Sequence, residues 1–110
     1  MVTKAQLPRM YRKFNRLYFG GKLPMQLPVY FLKTSQPCWG RAFMCSTADN
    51  EYVHGYIWIN RKLRIDRGMT AMCLLHEMVH LYIPSNAGHG PKFHACMRKL
   101  AAQGAMDRWW

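Results

Sequence analysis

The chain has 110 residues, of which 50% are hydrophobic and 14% aromatic, a composition too apolar for intrinsic disorder and long enough for one domain. Lysine and arginine together number 16 against 5 acidic residues, so the formal net charge is +11. This charge excludes an acidic solvating tail and makes polyanions such as nucleic acids the natural long-range partners.

We expect no signal peptide, since Met1–Lys13 carries several basic side chains, and no apolar run in the sequence approaches the roughly 20 residues of a membrane-spanning helix. The cysteines form no CxxC pair, so a structural zinc ribbon is not indicated; they are Cys38, Cys45, Cys73 and Cys96. We therefore expect a cytoplasmic or nuclear protein with reduced thiols, neither secreted nor bound to a membrane.

The first predicted element is an amphipathic helix. Apolar residues recur at spacings of three and four and form one stripe: Leu7, Met10, Tyr11, Phe14, Leu17 and Tyr18. The other side is basic and consists of Arg9, Arg12, Lys13 and Arg16. We expect the helix to end at Gly20-Gly21, because glycine readily takes the left-handed conformation of a C-terminal cap.

Three predicted strands follow, over Val29–Lys33, Trp39–Ser46 and Tyr52–Asn60. The third shows the clearest alternation of apolar and polar residues. Residues 47–51 favour a turn, which predicts an antiparallel hairpin between the second and third strands. We expect Trp39 to pack in the core and Trp58, on the polar side of its strand, to lie at the surface.

A basic connector follows and contains Arg61, Lys62, Arg64 and Arg67. After it, a second helix is predicted over about Met69–Tyr82. This helix is apolar nearly all round, so we expect it to be buried. A third helix begins at Pro91 and ends near Gly104. The order of helix, three strands and two helices predicts a single α+β domain over residues 1–110, with a three-stranded, mainly antiparallel sheet.

The second helix contains the segment His76-Glu77-Met78-Val79-His80, an HExxH motif. Residues four apart lie on the same helical face, so both imidazoles can reach one cation. Zinc suits neutral imidazole and keeps an open position for water at catalytic sites. Glu77 is turned away from direct ligation and is the candidate general base that activates that water. The motif therefore predicts a zinc-dependent hydrolase.

A catalytic zinc needs a third protein ligand. The pattern HExxHxxGxxH fails, because Ile83 and Asn86 occupy the required positions, and no glutamate follows Glu77. The remaining candidates are His89, His94, Cys96 and Asp107. We favour His89, because the glycines on either side of it let a loop turn its side chain back towards the helix.

The HExxH motif, followed by a loop and by His89-Gly90-Pro91-Lys92-Phe93, resembles the SprT-like zinc metallopeptidases, whose pattern is HExxH, a spacer, and HGxxF or HGxxW. Phe14–Pro24 is similar to that family's first helix and its FGGxLP exit, and Gly40–Ala42 and Ile57–Asn60 resemble its strands. The resemblance implies a compact zincin-like core that cleaves protein or peptide substrates, with zinc on His76, His80 and His89 and with Glu77 as the base.

The family includes Spartan, which cleaves proteins crosslinked to DNA, so the resemblance also implies a possible role in DNA–protein crosslink repair. The two basic clusters, Arg9 to Arg16 and Arg61 to Arg67, are the candidate nucleic-acid surface. Two alternatives remain open: a nucleic-acid-binding module with a structural zinc and no proteolysis, and another zinc hydrolase such as an endoribonuclease.

Overall fold

The elements follow in the expected order in the computed structural model, which describes residues 1–35, 38–46, 52–83 and 91–104. This confirms the predicted α+β class. The elements are helix α1 (Gln6–Tyr18), strands β1 (Val29–Leu32), β2 (Gly40–Ser46) and β3 (Tyr52–Asn60), a 3-10 helix (Arg61–Ile65), and helices α2 (Arg67–Tyr82) and α3 (Pro91–Ala102).

Helix α1 buries the predicted apolar face, and the four basic residues of its other face are exposed. Leu17 is exposed, however, and Asn15 is buried in the position expected for an apolar residue. The Asn15 side-chain amide donates to the Leu23 carbonyl oxygen at 2.8 Å, and its oxygen accepts from the Leu23 N–H at 3.1 Å. Asn15 therefore stabilises the turn that follows the helix. In this turn Gly20 and Gly21 have φ of 62° and 72°.

The sheet has the strand order β1-β3-β2. Strands β2 and β3 pair antiparallel, with Gly40 opposite Ile59, as the predicted hairpin requires; its turn lies outside the described residues. Strand β1 pairs with β3 in parallel, with Val29 opposite Ile57, so the sheet is mixed, and its antiparallel ladder is the longer of the two. Because β3 is central, β2 is an edge strand, and α2 packs against both β2 and β3.

Helix α2 is the central helix of the core. Its side chains Leu74, Leu75, Met78 and Val79 are fully buried. Asp66 caps its N-terminus, because the carboxylate accepts from the Met69 N–H at 3.1 Å. Within the described residues no helix is long and apolar enough to cross a membrane.

The two described tryptophans show the reverse of the solvent exposure expected from the sequence. Trp58 is only 6% exposed, whereas Trp39 is 61% exposed. Trp58 is on the central strand, with Tyr30 of β1 and Arg41 of β2 in register on either side, so its strand has a neighbour along both edges. Trp39 precedes the edge strand and is covered on fewer sides. The alternation along one strand could not distinguish these environments.

Candidate metal centre

Helix α2 brings the two motif histidines together, one helical turn apart and both partly buried. The Nε2 atoms of His76 and His80 are 3.2 Å apart. Two nitrogens that bind one tetrahedral zinc at about 2.05 Å lie about 3.3 Å from each other. The separation therefore fits two ligands of a single zinc ion.

The carboxylate of Glu77 lies beside this pair and is only 6% exposed. Its Oε2 atom is buried and has no hydrogen-bond partner among the described residues. Burial raises the pKa of Glu77 to about 7, and the Arg41 guanidinium acts in the opposite direction. A buried carboxylate oxygen without a donor is costly unless a cation or a water accompanies it. This oxygen is therefore suited to accept a proton from water.

The ligand atoms of His76, Glu77 and His80 all lie within 4.8 Å of one another, so the group could hold a metal ion. Two imidazole nitrogens and a nearby carboxylate are donors that suit zinc. The donor set and the unpartnered oxygen of Glu77 both fit the ion that the motif predicts.

Phe93 of α3 packs directly on the two histidines. It is only 4% exposed, and its ring centroid lies 5.0 Å from that of His76 and 4.7 Å from that of His80. Phe93 is the aromatic residue of the HGxxF segment, and the sequence did not predict its contact with the histidines. Its contact fixes the start of α3 beside the metal group and limits how the two rings can turn.

The described residues narrow the choice of a third ligand. His89 and Asp107 lie outside them. His94 is exposed on α3, and Cys96 packs against the hydrophobic core; neither belongs to the group of close ligand atoms. The two described alternatives to His89 therefore do not join the His76–His80 pair.

A cavity of about 530 Å³ opens beside the metal group. One wall is a face of α2 and the other is the start of β2, where Cys38, Trp39 and Gly40 lie. The two walls approach closely, because a Cβ on Gly40 would come within 3.0 Å of Cys73 Sγ. Burial raises the pKa of Cys73 to about 12, and the charges of Glu77 and Cys38 act in the same direction. Cys73 is therefore a protonated thiol.

A model of the SprT-like family matches residues 7–107. The chain belongs to the SprT-like family. The match includes α1, the sheet and the helix that carries the metal group, so the resemblance seen in the sequence is confirmed. A search of curated proteins found no significant match. Family membership and the cluster of His76, Glu77 and His80 together suggest that this SprT-like protein is a metallopeptidase.

In this SprT-like protein the two predicted basic clusters meet at one place. Arg9 and Lys13 of α1 and Arg67 at the start of α2 line a smaller cavity of about 180 Å³. Arg12 and Arg16 are exposed elsewhere on α1, and Arg61, Lys62 and Arg64 lie on the 3-10 helix. The sequence did not predict that α1 and the connector share a pocket, since this depends on how α1 packs against the start of α2.

Proposed function

We propose that this SprT-like protein is a zinc-dependent endopeptidase in which His76 and His80 bind zinc and Glu77 is the general base. The observation that carries the proposal is the 3.2 Å separation of the two Nε2 atoms beside a buried carboxylate oxygen that has no hydrogen-bond partner among the described residues. A structural zinc needs no such carboxylate, because structural sites are closed by protein ligands.

Zinc bound at this site would polarise the carbonyl of the cleaved peptide bond and increase the acidity of water. The Glu77 carboxylate takes a proton from the attacking water and then gives it to the leaving amine nitrogen. Among the described residues, Glu77 is the only buried carboxylate beside the two imidazoles, so it is the group placed to accept this proton and to return it. Phe93 holds the two imidazoles in place and shields one side of them from water.

We propose His89 as the third zinc ligand. Catalytic zinc has three protein ligands, and the described candidates His94 and Cys96 do not lie with the other two. His89 is four residues before Phe93 in the sequence, and Phe93 contacts both imidazoles. The position of Phe93 therefore supports a ligand from the segment just before α3.

Glu77→Gln tests the assigned base, since glutamine keeps the size of the side chain and removes its basicity. The variant should bind zinc as the parent does and lose hydrolysis of an unstructured protein such as casein by at least about 100-fold. Zinc content and unfolding temperature, measured on the same samples, show whether the site and the fold are intact. A variant that cleaves casein as fast as the parent would show that Glu77 is not the base.

We propose in addition that the pocket of Arg9, Lys13 and Arg67 binds the phosphate backbone of nucleic acid, so that the substrates are proteins associated with or crosslinked to DNA. Three cations around one cavity and a net charge of +11 favour a polyanion. The peptidase site and this pocket are lined by different residues.

The salt dependence of DNA affinity tests this surface. Each phosphate contact adds about 0.9 to the slope of log affinity against log salt concentration. The double variant Arg9→Ala/Arg67→Ala should lower the slope by about two, whereas the matched double variant Arg98→Ala/Lys99→Ala on α3 should change it less. Equal slopes in the two double variants would refute this pocket. Binding of DNA without cleavage of any protein would favour a binding module, and nuclease products without peptide products would favour an endoribonuclease.

A further inference from the structure

The cavity beside the metal group extends along α2 towards its N-terminus. Its α2 wall includes Met69, Met72 and Cys73, which precede the HExxH motif at spacings of three and four and therefore share one face with it. The opposite wall is formed by Trp39 and its neighbours at the start of β2. The cavity is thus a continuous trough with the metal group at one end and apolar side chains at the other.

The apolar end lies within reach of a substrate residue next to the cleaved bond. With a rise of about 1.5 Å per helical residue, Met72 and Met69 lie about 6 and 10 Å from His76 along the axis of α2. An extended peptide advances about 3.3 Å per residue. A side chain within about three residues of a bond held at the metal group can therefore reach this part of the trough.

The side chains at this end are large, apolar and open to solvent. Trp39 is 61% exposed, and Met69 and Met72 are 37% and 38% exposed. Among the described residues that line the cavity, Glu77 is the only carboxylate, and no lysine or arginine is present. A charged substrate side chain would lose hydration there without gaining a partner, whereas an apolar one would cover exposed apolar surface.

We propose that Trp39, Met69 and Met72 form a subsite that binds a bulky apolar side chain of the substrate, such as leucine, methionine or phenylalanine, beside the cleaved bond. The proposal rests on the peptidase function proposed above and names the substrate class of that site. Methionine side chains adapt to different shapes, so the subsite selects for apolar character and size rather than for one residue.

Two readouts test the subsite separately from the peptidase function. The first readout is the rate of peptide cleavage by the zinc-loaded parent. Mass spectrometry locates the cleaved bond in a starting peptide, and Leu, Phe, Ala, Asp or Lys is then placed at each position around that bond. The second is the binding of the same peptides, labelled with a fluorophore, to the full-length Glu77→Gln protein with zinc. At one position we expect leucine and phenylalanine to exceed aspartate and lysine by about 10- to 100-fold in both readouts.

Met72→Lys places a cation in the trough at a position that is already partly exposed, so the fold tolerates it. At that peptide position the preference should then change from leucine to aspartate. Leu17→Lys is the matched control, because Leu17 is an exposed apolar residue of α1 that does not line the cavity, and it should leave the preference unchanged.

The outcomes separate the two proposals. If the parent cleaves all peptides equally and Met72→Lys changes nothing, the subsite is refuted while the peptidase function stands. If Glu77→Gln binds apolar peptides selectively but the parent cleaves none of them, the peptidase function is refuted while the apolar subsite stands. Equal binding of all peptides without cleavage refutes both.

Discussion

The buried carboxylate of Glu77, whose Oε2 atom has no hydrogen-bond partner among the described residues, should make the metal-free protein less stable as the pH rises. The pKa of this group rises from its ordinary 4.5 to about 7 in the folded protein, so the folded state holds the proton more tightly than the unfolded state. Stability from this group is complete below pH 4.5 and is lost as the pH rises through 7. At about 1.4 kcal/mol per pH unit, the whole loss is about 3 kcal/mol, of which about 2 kcal/mol falls between pH 5.5 and 8.

Glu77→Gln removes this titration and leaves the histidine pair in place. Urea unfolding can be monitored by tryptophan fluorescence in the presence of a metal chelator. Between pH 5.5 and 8, the free energy of unfolding should fall by about 2 kcal/mol more for the parent than for the variant. Added zinc should remove most of this difference, because a nearby cation stabilises the charged carboxylate. Parallel pH profiles for the two metal-free proteins would refute the argument that burial raises the pKa of Glu77.

Three further predictions concern the third ligand, the Phe93 contact and the close approach of β2 to α2. His89→Ala should lower zinc content and His94→Ala should not, as measured by plasma emission spectrometry; the reverse order would reassign the ligand. Phe93→Ala should destabilise the fold by about 3–5 kcal/mol. Phe93→Leu should keep most of the stability but bind zinc more weakly, as measured by competition with a chelator. Unchanged zinc affinity in Phe93→Leu would show that Phe93 does not hold the histidine rings in place. Gly40→Ala should cost about 1–3 kcal/mol in urea unfolding, because a Cβ there would come within 2.8 Å of the Trp58 carbonyl oxygen; an unchanged unfolding midpoint would contradict the close packing of β2.

The parts of the fold and site that could be predicted from the sequence depend on short-range geometry. The spacing of His76 and His80 places both on one face of any helix, and the structure brings their nitrogens to 3.2 Å. The alternation in Tyr52–Asn60 gave the bounds of β3 as the structure has them. Gly20-Gly21 ended α1 as expected, since both residues take positive φ.

The features that could not be predicted depend on which elements meet in space. The parallel pairing of β1 with β3 joins segments distant in sequence, and it makes β3 central, which buries Trp58. The contact of Phe93 with the histidines requires α3 to return to α2. In each case the deciding neighbour comes from another element, and the local pattern of one segment carries no signal for it.

The central claim is that the His76–His80 pair holds one zinc ion, and zinc stoichiometry tests it most directly. The parent, purified without added metal and dialysed against zinc, should contain about one zinc per chain. His76→Ala and His80→Ala should each lose most of it, while the exposed His94→Ala should retain it. A parent that binds no zinc, or His76 and His80 variants that keep a full equivalent, would contradict the account.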